Sequence, residues 1–226
     1  MTFGVLRFPG SCDEVDALIA CERVADARII WHGDTDLGDV DAVVVPGGFS
    51  YGDYLRVGSI ARFAPAMEKV MEFAAAGGPV LGICNGFQVL CEAGLLPGAL
   101  RPNESLAFVC RDVALRVERA DVPLLSGCEV GQLLTIPVKH GEGCYFADAE
   151  LLVQLKAGNQ IVLRYDADNP NGSLDDIAGV VNSEGNVLGL MPHPEHAVDS
   201  LLGSADGALI LGALVERARE RLLAPA

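Results

Sequence analysis

Apolar residues along this chain gather in short runs, separated by longer stretches of mixed spacing. FGVLRF (3–8), ARIIWH (27–32), AVVVPG (42–47) and PVLGIC (79–84) are such runs. Short, nearly continuous apolar runs bounded by turn formers predict strands covered on both faces. Between them the spacing is helical: Val15, Leu18, Ile19 and Val24 within 13–25, and Ile60, Phe63, Met67, Val70, Met71 and Phe73 within 60–76. Gly77-Gly78 stops that second helix, and GFQVLCEAGLL (86–96) is a third, directly after the fourth strand. Strands alternating with helices predict an α/β fold built on a mostly parallel sheet with helices on both faces. Ligand sites in such sheets lie at the carboxyl ends of strands, where PGGF (46–49) and Cys84 both fall.

The second half changes character. Residues 106–118 partly alternate and read as an extended strand, and 133–143 as another with a glycine-rich exit. A short helix over 149–158, a strand over 161–165 and a turn-rich stretch over 166–176 follow. Segments 177–182 and 187–193 flank SEGN and predict a hairpin, so a smaller antiparallel region is expected in the C-terminal half. An amphipathic helix over about 204–222 closes the pattern. No repeat, low-complexity tract or linker interrupts the 226 residues, and one domain over 1–226 is expected.

Composition narrows the classes. Half the residues are apolar, enough for a full core, but no run approaches the roughly 18 residues of a membrane span. MTFGVLRFPG enters a strand pattern at once and lacks the features of a secretory signal. A net charge of −15 repels phosphate backbones and anionic membranes, which argues against a nucleic-acid or membrane partner. Seven cysteines, an odd number without C-x-x-C, argue against a disulfide framework and a zinc site and suit a reducing cytoplasm. There is no P-loop and no G-x-G-x-x-G opening a helix after a strand. No metal or cofactor is expected in this chain.

Gly82-Ile83-Cys84-Asn85-Gly86 has the form G-x-nucleophile-x-G, in which the central residue sits on a sharp strand-to-helix turn. The helix N-terminus favours thiolate at Cys84. Of the four histidines, His193 lies in LMPHPEH, stiffened by Pro192 and Pro194, with Glu195 two residues on. In extended backbone those two side chains share a side, so Glu195 can orient His193 as the base of a triad. Gly47 and Gly48 end the third strand and can offer backbone N–H groups to an oxyanion; the N–H of Asn85 is the second such donor. Gln88, one helical turn past Cys84, faces the same side and could touch a substrate. Taken singly, each has a plainer reading: a packed thiol, a structural imidazole, a tight turn, a surface amide. His32, beside an acidic loop, is expected at the surface.

GICNGFQ around a candidate nucleophile, PGGF upstream and PHPE near the C-terminus resemble the triad-type (class I) glutamine amidotransferases. PGGFSYGDYLRVGSIAR (46–62), NESLAFVCRDVALRVE (103–118), PVKHGEG (137–143), NPNGSLDDIAGVVNSEGNVLGLMPHPE (169–195) and LLGSADG (201–207) resemble, within that family, the stand-alone glutaminase subunits of phosphoribosylformylglycinamidine synthases. The resemblance implies a flavodoxin-like, doubly wound domain that hydrolyses L-glutamine and passes ammonia to a large ATP-dependent synthetase subunit, with a small accessory subunit. ATP and Mg would belong to that partner. By this likeness Cys84 is the nucleophile, His193 the base, Glu195 its orienter, Gly48 and Asn85 the oxyanion donors and Gln88 a substrate contact. SYGDYLR (50–56) is characteristic of these subunits, as a loop shaping the pocket or meeting the synthase; Asp53, Arg56 and His140 receive no chemical role. His196 stands where such subunits commonly carry arginine. Other readings are a lone cysteine hydrolase of the same fold, a binding module, or a subunit serving another amidotransferase pathway.

Overall fold

The structure, a computed structural model, describes residues 1–223. The four apolar runs of the first half become β1 (Thr2–Arg7), β2 (Asp26–Trp31), β3 (Ala42–Val45) and β4 (Val80–Ile83). The helices between and after them are α1 (Glu14–Glu22), α2 (Pro65–Ala75) and α3 (Asn85–Glu92). The second half supplies β5 (Ala99–Arg101), β6 (Val109–Val117), β7 (Leu133–His140), β8 (Cys144–Phe146), α4 (Ala149–Ala157), β9 (Ile161–Tyr165), β10 (Ile177–Val181), β11 (Val187–Leu190) and α5 (Gly207–Leu223).

Nine strands form one sheet in the order β2-β1-β3-β4-β11-β10-β9-β6-β7. The first five are mutually parallel, in the 2-1-3-4-5 order of a flavodoxin-like fold with β11 as fifth strand. All four residues of β3 are fully buried, which requires cover on both faces. The antiparallel strands expected in the C-terminal half extend this same sheet through β10, β9, β6 and β7. β5 and β8 pair in a separate two-stranded sheet that the sequence pattern did not announce, because three-residue strands are too short to show alternation. Among the described residues no helix is long and apolar enough to cross a membrane.

Two helical expectations need correction. α1 buries Ala17, Ala20 and Cys21, while Val15 and Ile19 are half exposed. The helix lies close on β1 and β2, so its small residues face the sheet and its larger ones cannot. The stretch 60–76 is not one helix. A single 3-10 turn, Ala61–Phe63, ends at Ala64, which is extended (ψ 141°) because it precedes Pro65, and α2 starts afresh with that proline at its first turn. Phe63 is left exposed and the buried stripe runs through Met67, Val70 and Ala74.

α3 sits hard against β3. A Cβ on Gly86 would fall 1.8 Å from the Val45 carbonyl oxygen, backbone that cannot swing aside. This closeness fixes where the N-terminus of α3 lies relative to the loop after β3. Gly86→Ala should therefore destabilise the protein by about 3 kcal/mol, the upper range for overpacking, as read from urea unfolding midpoints at unchanged slope.

Candidate active site

β4 delivers Cys84 at its carboxyl end. The residue adopts φ 50° and ψ −105°, a strained conformation for a residue with a side chain. It is held there from two sides. Its N–H donates to Leu190 O of β11 (2.8 Å), and its own carbonyl accepts the first bond of α3 from the Gln88 N–H (3.1 Å). The N–H groups of the first turn of α3 have no intrahelical partner, so the backbone at Asn85 presents a donor beside the sulfur.

β11 runs parallel to β4 with Leu190 opposite Ile83, so both strands leave the sheet at the same end. Three residues further on, His193 is buried, with its N–H donating to Pro137 O of β7 (2.8 Å). Its Nδ1 lies 2.6 Å from Glu195 Oε1. The pairing expected from the sequence is present, but by a different route. Pro194–His196 forms a 3-10 turn, not extended backbone, and that turn folds the carboxylate back onto the ring. With Nδ1 committed to Glu195, Nε2 is the nitrogen left to accept. It is buried and makes no hydrogen bond among the described residues; the Cys84 thiol, near enough to act on the ring, is directed at Lys139 O (3.9 Å). Burial disfavours the imidazolium, but the charge and hydrogen bond of Glu195 and the Cys84 sulfur outweigh it and push His193 up to about 10.

Gly47 and Gly48 leave β3 and bridge to the loop after β1. The N–H groups of Cys12 and Asp13 donate to Gly47 O (3.3 Å each), and that of Phe49 to Gly10 O (2.8 Å). The N–H of Gly48 takes no part in these bonds. Gly48 adopts φ 140°, and a Cβ there would meet Cys12 N at 2.6 Å, so only glycine fits. The Asn85 side chain ties this loop to α3: its Oδ1 accepts from Ser50 N–H (3.1 Å) and its Nδ2 donates to Gln88 Oε1 (2.8 Å). Gln88 also donates to Glu142 O, so both ends of its amide are engaged in the pocket wall. His32 is half-buried, not free at the surface, its Nδ1 2.6 Å from the Tyr51 hydroxyl. Arg56 makes two 2.6 Å bonds to Glu92, clamping the 50–56 loop to the end of α3. Burial, and then the Glu142 charge, push the Asp53 carboxyl up to about 6 at the pocket edge.

The pocket containing Cys84, Gly48 and Gln88 is also lined by Asp13, Lys139 and His140, which sequence reasoning did not assign to the site. Asp13 is buried, paired with Lys139, and lies 3.8 Å from His193 Nδ1 and 3.4 Å from His196 Nε2. Burial alone would raise its carboxyl; hydrogen bonds from His196 and Lys139 and the charge at His193 overcome that and hold it well below the usual carboxylate range. In the sequence Asp13 was visible only as the start of a helix. The donor atoms of Asp13, His193, Glu195 and His196 lie within 4.8 Å of one another, a spacing also met in metal centres. Here the Lys139 ammonium supplies the positive charge on Asp13.

Beneath the pocket, His140 Nε2 accepts from Asn171 Nδ2 (3.0 Å). The Asn171 oxygen accepts from Ser173 N–H (3.0 Å) and Oγ–H (2.7 Å), which fixes the amide orientation and leaves the imidazole proton on Nδ1. Asn103 pins the same turn, donating to His140 O (2.9 Å) and accepting from Gly143 N–H (2.9 Å). Burial, and then the His193 charge, lower His140 to about 4.

Residues 2–206 match the family model of the CobB/CobQ-like glutamine amidotransferase domain. The chain is 58% identical over 223 residues to the phosphoribosylformylglycinamidine synthase subunit PurQ of Salinibacter ruber, covering 94% of this chain and 95% of that one. It is 57% identical over 220 residues to the subunit of the same name from Rubrobacter xylanophilus, covering 97% and 100%. Among solved structures it resembles PurLQS from Thermotoga maritima, with a TM-score of 0.86 and 40% identity over 95% of this chain and 97% of that one.

A histidine whose folded pKa lies below its unfolded value binds fewer protons when folded. Its contribution is therefore full above the unfolded pKa near 6.5 and is lost as pH falls from there to about 4. Replacing His140 by Gln should remove this sensitivity: between pH 7 and pH 5 the wild-type protein should lose about 2 kcal/mol more unfolding free energy than the variant, measured by urea titration.

Proposed function

The chain belongs to the CobB/CobQ-like glutamine amidotransferase family, and from that membership we propose that it is the glutaminase subunit of a phosphoribosylformylglycinamidine synthase. It hydrolyses L-glutamine to glutamate and delivers ammonia to a large synthetase subunit, which makes formylglycinamidine ribonucleotide from formylglycinamide ribonucleotide in purine biosynthesis. We assign ATP and Mg to that partner, a small accessory subunit to the complex, the cytoplasm as its location, and residues 1–226 to one amidotransferase domain. The observation that carries the reading is the 2.6 Å His193–Glu195 pair set beside a cysteine strained on a strand-to-helix elbow.

The chemistry follows from the placement of these groups. His193 Nε2 takes the Cys84 proton, and the thiolate attacks the amide carbon of glutamine. The oxyanion forms against the N–H groups of Gly48 and Asn85, each donor of this kind being worth about 3 kcal/mol at the transition state. The imidazolium, held by Glu195, gives its proton to the nitrogen as the C–N bond breaks, and ammonia leaves. Water, deprotonated by the same imidazole, then cleaves the glutamyl thioester and regenerates the thiol. Gln88, both of whose amide ends are occupied, acts by shaping the pocket wall for glutamine.

Ammonia released into bulk water would be protonated and lost as a nucleophile, so the pocket mouth must face the consumer. That mouth carries Phe49 and Phe108, with Tyr54, Leu55 and Leu106 also exposed on the same loops; Leu55 is 93% exposed. Exposed apolar side chains grouped in this way mark a docking surface.

Labelling with a glutamine-analogue diazoketone should modify Cys84 alone, as mapped by peptide mass spectrometry; label on another cysteine, or none, would falsify the assignment. Cys84→Ala and His193→Ala should each lower glutamine turnover by about a thousandfold or more, since triad members act as a unit. Leu55→Asp should leave the unfolding midpoint unchanged and weaken binding to the synthetase subunit by about tenfold or more, measured by calorimetric titration.

A further inference from the structure

Asp13 occupies the N-cap of α1, where an aspartate ordinarily accepts a hydrogen bond from the first helical turn. Its side chain makes no such bond. The carboxylate instead turns away from its own helix, into the site. There it bonds to the Lys139 ammonium, places Oδ1 3.4 Å from His196 Nε2 and Oδ2 3.8 Å from His193 Nδ1. A Cβ on Gly47 would fall 2.5 Å from Asp13 Oδ2 and 2.7 Å from His193 Cε1, so carboxylate and ring edge converge on one point that only a glycine leaves open. A residue that gives up its local bond to reach a distant imidazole breaks a rule of helix capping, and such breaks concentrate at functional sites.

We propose that Asp13, held in place by Lys139, is a positioning residue for His193: a second carboxylate that stabilises the imidazolium near the same nitrogen, Nδ1, that Glu195 binds. The inference rests on the reading of His193 as the base. The groups facing His193 come from four places. Glu195 and His196 lie on its own segment, Cys84 at the β4–α3 elbow, Asp13 at the start of α1, and Lys139 and His140 on β7. Two unopposed carboxylates would hold the imidazolium proton too firmly for transfer to departing ammonia. Lys139 opposes one of them. The ion pair thus sets how tightly His193 keeps its proton, and its two members act on that proton in opposite directions.

The test measures kcat against pH for glutamine turnover in the complex with the synthetase, together with the pH profile of Cys84 alkylation by iodoacetamide. The proteins are wild type, Asp13→Asn, Lys139→Met and the double variant. Asp13→Asn removes a negative charge and should move the alkaline limb down by about one pH unit, while Lys139→Met exposes that charge and should move it up by a similar amount. The double variant should fall between the two. For Asp13→Asn, kcat measured at pH values above both alkaline limbs should drop about tenfold relative to wild type, the equivalent of the one-unit shift, while KM for glutamine changes less than twofold. Limbs that do not move, or that move the same way in both single variants, overturn the proposal. So does a KM increase as the main effect, which would make Asp13 a substrate contact. If Asp13→Asn does not fold, Lys139→Met decides through the same two profiles. His193→Ala is assayed alongside. If it keeps full turnover, the base assignment fails and this inference with it; if it is inactive while the Asp13 and Lys139 profiles are unmoved, only this inference fails.

Discussion

The parallel pairing of β4 with β11 is the constraint on which the site depends. Cys84 and His193 are 109 positions apart in the chain and meet because Leu190 lies opposite Ile83 in that ladder. The Cys84 N–H to Leu190 O bond joins the elbow directly to the strand that carries the histidine. A slip of one residue would turn every side chain of β11 to the other face and carry His193 away from the sulfur. Such a slip is resisted by burial, since all of Val187–Leu190 and Val80–Ile83 are enclosed. Each buried valine, leucine or isoleucine contributes on the order of 2 kcal/mol relative to exposure, so the register is held by the core itself.

A second requirement follows from placing charge inside that core. His193, Glu195 and Asp13 are all nearly inaccessible to water. Buried ionised groups persist only when paired and hydrogen-bonded. The protein meets this by drawing partners from separate elements: Glu195 from the turn after β11, Asp13 from the head of α1 and Lys139 from β7. The same convergence explains why β7, the far edge of the sheet order, bonds back to His193 through Pro137 O. The antiparallel half of the sheet is therefore not an accessory. It closes over the carboxyl ends of the parallel strands and forms one wall of the pocket through Lys139, His140 and Glu142.

That wall is pinned by neutral groups. Asn103, Asn171 and Ser173 satisfy the backbone of the turn after β7 and fix His140 as an uncharged ring. Together with the Asn85 tie to Ser50 on the opposite side, these bonds fix both flanks of Cys84. Preorganised donors cost nothing to reorient as charge develops, which is where most electrostatic catalysis originates.

Local features of this protein were legible in the chain itself. The continuous apolar runs announced the parallel strands, the spaced glycines announced the elbow at Cys84, and the proline-flanked His193 with Glu195 announced an imidazole–carboxylate pair. Each is a property of a few adjacent residues. Pro65 also carried the break before α2, although the longer helical periodicity masked it. What tertiary structure decided depends on residues distant in sequence. Small residues face the sheet along α1 because of how closely the helix approaches β1 and β2, a distance no local pattern encodes. Asp13 reads in the sequence only as the first residue of a helical stretch and becomes a partner of Lys139 and His193 only when α1, β7 and the turn after β11 are brought to one end of the sheet. Periodicity reports which face of an element is apolar; the meeting of charges from three elements is set by the register of the whole sheet, and that exists only in the folded chain.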